Sequence, residues 1–116
     1  MTSAVHVLSE RRAAPRFVVD HEVSVQTADG VWHLARLLDV SIDSARIGAL
    51  ARHPELLRLR LTTHLGDVEI LARSVRATTD GTAVEYVEMT IDALARYSRW
   101  LDRLVVPAAG AVSASS

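Results

Sequence analysis

Residues 17–27 read FVVDHEVSVQT, and this stretch decides the fold. Phe17, Val19, His21, Val23 and Val25 fall on one face of an extended chain, with Asp20, Glu22, Ser24 and Gln26 on the other. A period of two marks a β-strand with one face on a core and the other in water. Ala28-Asp29-Gly30 follows, and Asp-Gly supplies the positive φ that a tight hairpin needs. Residues 31–40 therefore form the partner strand. It is nearly continuous in apolar residues, interrupted at Arg36, and runs into Asp39-Val40-Ser41.

Working outward, residues 42–44 read as a turn, 45–49 as a short strand and 50–55, with His53-Pro54, as a loop. Leu57, Leu59 and Leu61 alternate with Arg58 and Arg60, a strand with one wet face. A turn at 64–67 leads to a strand over 68–76, whose apolar phase slips between Ile70 and Leu71, which predicts a bulge or a residue buried on both sides. Asp80-Gly81 turns the chain into a last strand, 82–89. From Thr90 the period changes: Leu94, Tyr97, Leu101 and Leu104 recur at helical spacing, with Trp100 beside them. Thr90 is the expected N-cap, Asp92 suits the positive end, and Pro107 is expected to stop the helix.

The expectation is an all-β domain of about six antiparallel strands with one C-terminal helix. A sheet this small hides its edges by closing into a barrel, which the helix can plug or cover. The expected boundaries are a flexible N-terminal arm at 1–10, the barrel domain at 11–105 with its helix at about 91–104, and a disordered tail at 106–116.

Composition narrows the function. A chain of 116 residues is one domain, able to bury roughly 65% of its unfolded surface. The absence of cysteine excludes disulfides, thiolate metal sites and a cysteine nucleophile. All 13 basic residues are arginine and the net charge is -1, which argues against nucleic acid as a partner. Aromatics, at 4%, are too few for a base-stacking platform. No apolar run has the length of a secretion signal or a membrane span, so a cytoplasmic location and no membrane insertion are expected. His6, His21, His33, His53 and His64 are scattered without metal-ligand spacing, and Ser41 lacks both a nearby histidine and a nucleophile elbow. The reading is a binding domain rather than an enzyme, with no cofactor.

The chemistry concentrates at two places. Arg12 and Arg16 stand four apart just before the first strand, with Pro15 between them discouraging a regular helix. Guanidinium forks match phosphates and the O6/N7 edge of guanine. Asp39 can accept from guanine N1 and N2, and Ser41 can donate to a phosphate or fix its neighbours' geometry. Taken alone, Arg-x-x-x-Arg is common and Asp-x-Ser at a strand end is commonly a turn cap.

In order and context these residues resemble the PilZ domain, the bacterial receptor domain for cyclic di-GMP. The family pattern is RxxxR before the first strand and [D/N]xSxxG after the second. The first is complete here as Arg12-Ala13-Ala14-Pro15-Arg16; the second reads Asp39-Val40-Ser41-Ile42-Asp43-Ser44, continuing Ala45-Arg46-Ile47. The strand Ala83-Val84-Glu85-Tyr86-Val87 before the terminal helix also looks like the family's last strand, and the resemblance covers roughly residues 11–104. It implies a six-stranded antiparallel β-barrel. It further implies that Arg12 and Arg16 grip phosphates and guanine edges, with Asp39 and Ser41 completing the pocket. An extra arginine at Arg11 goes, in this family, with a stacked ligand dimer.

Ser44 departs from the pattern, which has glycine there. Were positive φ required, a side chain would cost about 1–2 kcal/mol, or roughly tenfold in affinity. Ala83, at a second position where glycine is frequent, reads as structural. The expected function is a cyclic di-GMP receptor whose ligand-ordered arm alters binding to an unidentified protein effector controlling motility, biofilm or exopolysaccharide. The alternative is a degenerate adaptor that binds a protein partner without nucleotide.

Overall fold

The computed structural model describes residues 4–6, 15–48, 50 and 54–115, with side chains for 15–48, 50 and 54–104. In chain order the elements are β1 (Ala4–His6), β2 (Phe17–Gln26), β3 (Trp32–Val40), β4 (Ser44–Gly48), β5 (Leu56–Thr63), β6 (Gly66–Thr78), β7 (Gly81–Thr90) and α1 (Ile91–Ser115). Strands β2 to β7 run in the order β7-β4-β3-β2-β5-β6, and β6 pairs back onto β7. Every pairing is antiparallel. This is the expected closed six-stranded barrel with one C-terminal helix.

Local chemistry accounts for the elements. In the β2–β3 hairpin, Gly30 has φ 79° and its N–H donates to the Thr27 carbonyl at 2.9 Å. Alternation along β2 sends Val23 and Val25 into the core and leaves Val18 in water at 89% exposure. The same two-residue rule places Leu57, Leu59 and Leu61 of β5 and Val68 and Ile70 of β6 inside. At Gly81 a Cβ would lie 2.2 Å from the Ile47 carbonyl oxygen, so only glycine lets β4 and β7 approach this closely. The slip expected between Ile70 and Leu71 is absent from β6, where Val68, Ile70 and Ala72 all point inward. The β6–β7 register does shift between Leu71 and Ala72, but the extra residue, Val87, is on β7.

Helix α1 follows β7 without a linker. Thr90 caps it, its Oγ1 accepting from Ala93 N–H at 3.0 Å. The face bearing Ala93, Tyr97, Trp100 and Leu101 is buried, with Leu94 and Leu104 packed at its margin. His21, on the inner face of β2, meets the Trp100 ring at a centroid distance of 5.2 Å.

Two boundaries differ from expectation. Ala4–His6 is a strand rather than part of a free arm, paired with Thr90, Met89 and Glu88 of β7. Glu88 also pairs with Leu71 of β6, so β1 lies on the side of β7 that β4 occupies further back. It covers an otherwise open length of strand edge, a demand that three residues of local sequence do not reveal. The remaining residues of 1–10 lie outside the described ones. At the other end, α1 continues through Pro107 to Ser115, where an end near 104 and a disordered tail were expected. Proline removes one helical N–H and can be accommodated as a kink, while Ala108, Ala109, Ala111 and Ala114 favour helix. No helix among the described residues is long and apolar enough to cross a membrane.

Candidate functional site

The β3–β4 connection and the strand rows beside it bring the motif residues together. Arg16, one residue before β2, reaches across to β3 and β4. Its Nη1 donates to Asp39 Oδ1 at 2.5 Å and its Nη2 to Ser44 Oγ at 2.9 Å. Asp39 owes its position to an irregularity in β3: Leu37 pairs with Ile47 and Asp39 with Arg46, leaving Leu38 as an extra residue against β4. Such a bulge re-aims the following side chain. Asp39 Oδ2 accepts from Arg46 Nε at 2.8 Å, and Arg46 Nη1 donates to both oxygens of Asp80, at 2.5 and 2.7 Å. An alternating ladder of charge results, Arg16–Asp39–Arg46–Asp80. The hydrogen bonds from Arg46 hold the Asp80 carboxyl below its ordinary range, and those to Asp39 and Asp80 raise Arg46.

Behind this ladder lies the turn at 41–44. Ser41 is buried, and its N–H donates to the Ser44 carbonyl at 2.8 Å. Its Oγ lies 2.8 Å from Asp43 Oδ1 and 2.9 Å from Ser44 Oγ, and accepts from the Ser44 N–H at 3.1 Å. A carboxylate only accepts, so the single Ser41 hydroxyl proton goes to Asp43. Ser44 then donates to Ser41 while accepting from Arg16. A directed chain runs from the exposed Arg16 through two hydroxyls to buried Asp43.

The turn is tied to the helix from beneath. Tyr97 OH donates to the Ser41 carbonyl at 2.5 Å, and Tyr86 OH lies 2.6 Å from Tyr97 OH. Tyr97 has one proton, committed to Ser41, so Tyr86 donates to Tyr97. Burial pushes both phenols well above their ordinary value.

In front of the ladder opens a cleft of about 370 Å³, with Arg16, Asp39, Arg46 and Asp80 on one side and Arg76 on the other. Ala83 lies between them, and Thr78 and Thr79 complete the lining. Of the expected site residues, Arg16 and Asp39 line this cleft, and Ser44 touches Arg16 from behind. Ser41 does not reach the cleft; its hydroxyl is spent within the turn. Arg11 and Arg12 lie outside the described residues. Ser44 is the first residue of β4 and pairs with Glu85, so its backbone is extended and the positive-φ cost does not arise.

Arg46, Arg76, Asp80 and Ala83 were not among the expected site residues. In the sequence Arg46 continues the motif, Asp80 belongs to a turn, Arg76 ends a strand and Ala83 reads as structural. Alternation does place Arg46 on the outer face, opposite Ala45 and Ile47. Setting it against Asp39 requires the bulge at Leu38, which leaves no local trace in that apolar strand.

No family model matches this sequence, and no curated protein does. Among solved structures the chain is similar to the PilZ domain of CeSA from a cellulose-synthesizing bacterium, at a TM-score of 0.58 and 17% identity. The match covers 74% of this chain and 93% of that one. The barrel with its terminal helix thus has the PilZ fold.

Proposed function

We propose that this domain is a receptor for cyclic di-GMP that acts on a protein partner rather than as an enzyme. The observation that carries the reading is that Arg16 meets Asp39 at one cleft, and Ser44 behind it, on a barrel of PilZ fold, although 28 residues separate Arg16 from Ser44. The cleft combines guanidinium forks for phosphates and guanine O6/N7 with carboxylates that accept from guanine N1 and N2. Arg12, four residues upstream of Arg16, is assigned to the same ligand, and Arg11 to a second, stacked ligand molecule. Ser41 acts by holding the turn. The ligand orders the segment carrying Arg11 and Arg12 and so changes the surface offered to the effector, which by analogy with PilZ domains controls motility, biofilm or exopolysaccharide.

Calorimetric titration with cyclic di-GMP tests this reading. Saturable binding is expected, with Arg16→Ala weakening it by about tenfold or more and Arg12→Ala acting in the same direction. Two ligands per chain would support the role given to Arg11. An intact protein that takes up no ligand at high micromolar concentration would leave the second reading, a nucleotide-independent adaptor. One observation favours that alternative: Arg16 and Asp39 are already satisfied by each other, by Ser44 and by Arg46, so a ligand must displace these contacts.

A further inference from the structure

We propose that Arg76 is a further ligand-binding residue, taking a phosphodiester of the cyclic dinucleotide across the cleft from Arg16, with Ala83 as the floor beneath the ligand. The inference rests on the receptor reading above and adds to it a residue outside both sequence motifs.

The first observation is electrostatic. Three arginines and two aspartates line the cleft. Arg16, Asp39, Arg46 and Asp80 are consumed in one continuous ladder of ion pairs. Arg76 has no hydrogen-bond or ion-pair partner among the described residues, so the unbalanced positive charge of the cleft belongs to it. A phosphodiester carries one negative charge and presents two oxygens to a guanidinium fork. Among the described residues, binding at Arg76 breaks no existing pair, whereas binding at Arg16 or Arg46 must exchange one.

The second observation is geometric. Asp39 pairs with Arg46, Arg46 with Ala83, and Ala83 with Arg76, so four neighbouring strands contribute one residue each to a single row. Arg76 enters that row through a register shift in β6: Ser74 pairs with Val84 and Arg76 with Ala83, leaving Val75 as the extra residue, 58% exposed. The bulge turns Arg76 toward the cleft, as the bulge at Leu38 turns Asp39 on the opposite wall. Between the two flanking guanidiniums stands a single methyl group, that of Ala83. A larger side chain there would fill the space between them. Thr78 and Thr79 line the cleft beside Arg76, and the Thr78 hydroxyl donates to Asp80 Oδ1 at 3.2 Å, so it belongs to the ladder rather than to the ligand.

The test is calorimetric titration with cyclic di-GMP at low and high salt, using the wild type, Arg76→Gln, Arg76→Lys and Ala83→Leu. Arg76→Gln is expected to weaken binding by about tenfold or more and to flatten its salt dependence. Arg76→Lys retains the charge without the fork and should fall between the two. The unfolding midpoint of ligand-free Arg76→Gln should equal that of the wild type, since the guanidinium has no partner to lose among the described residues. Ala83→Leu should bind far more weakly while remaining folded. Wild-type affinity and salt dependence in Arg76→Gln, or undiminished binding by Ala83→Leu, would overturn the assignment and leave the receptor reading intact. Failure of the wild type itself to bind would overturn both.

Discussion

The turn at 41–44 and the cleft in front of it are joined through Ser44, yet they are built on opposite principles. Ser41 and Asp43 of the turn are buried, and its polar atoms are committed inward: Ser41 to Asp43 and Ser44, and the Ser41 carbonyl to Tyr97. The cleft is a partly exposed lattice of ion pairs in which Arg76 has no partner among the described residues. Buried polar networks are strong when complete and costly when broken, whereas exposed ion pairs contribute little and exchange readily. The turn is therefore suited to holding shape, and the cleft to trading one partner for another. A motif that reads as one unit in sequence divides between these tasks, Asp39 facing the cleft and Ser41 holding the turn behind it.

The most direct way to break this comparison is Ser41→Ala. Loss of a buried hydroxyl bonded to a carboxylate should cost about 2–3 kcal/mol of stability, measured by denaturant unfolding. An unchanged unfolding midpoint together with lost ligand binding would move Ser41 from the turn to the cleft. Tyr97→Phe comes next. It leaves the Ser41 carbonyl without its donor and Tyr86 without its acceptor, for about 1–3 kcal/mol.

The same tyrosine pair adds a pH dependence. Both phenols are raised by burial above the value of about 10 that they hold when unfolded. Above that pH the unfolded chain has released protons that the folded one retains, so stability falls as pH rises. This contribution is complete below pH 10 and declines above it, and Tyr97→Phe should make the alkaline slope shallower. A slope unchanged by the substitution would show that the loss originates elsewhere.

The smallest stability effect is expected from Asp80→Asn in the cleft. Asp80 is exposed, so the unfolding midpoint should hardly move, while removal of a negative charge beside Arg46 should raise affinity for an anionic ligand a few-fold. A large drop in the midpoint would make the cleft ladder a structural network like the turn, and the contrast between the two regions would fail.

Much of this molecule was legible before any coordinates. The alternation in β2, the Asp-Gly turn, the cap at Thr90 and the stripe Leu94–Tyr97–Leu101 are local signals, and each element appears where it was expected. Arg16 and Asp39 stood out as chemistry, and they do meet. Other features were misjudged for identifiable reasons. Ser44 looked like a strained substitution because its position in the motif suggested positive φ; it is an extended strand residue that passes a hydrogen bond from Arg16 to Ser41. That Ala83 lines the cleft was hidden because its neighbours on β4 and β6 were unknown. Pro107 looked like a stop because propensity is counted locally, and Ala4–His6 showed no periodicity because three residues carry none.

By itself the sequence determined the strand and helix pattern, the closure expected of so small a sheet, and two of the residues that face the cleft. Those properties depend on side-chain period and turn chemistry, which act within a few residues. Only the tertiary structure decided that Arg46, Ala83 and Arg76 share a row with Asp39, that Ser41 faces inward, and that the helix supports the turn through Tyr97. Each of these depends on strand register, which bulges at Leu38 and Val75 reset by one residue, and register is settled by packing across the barrel rather than along the chain.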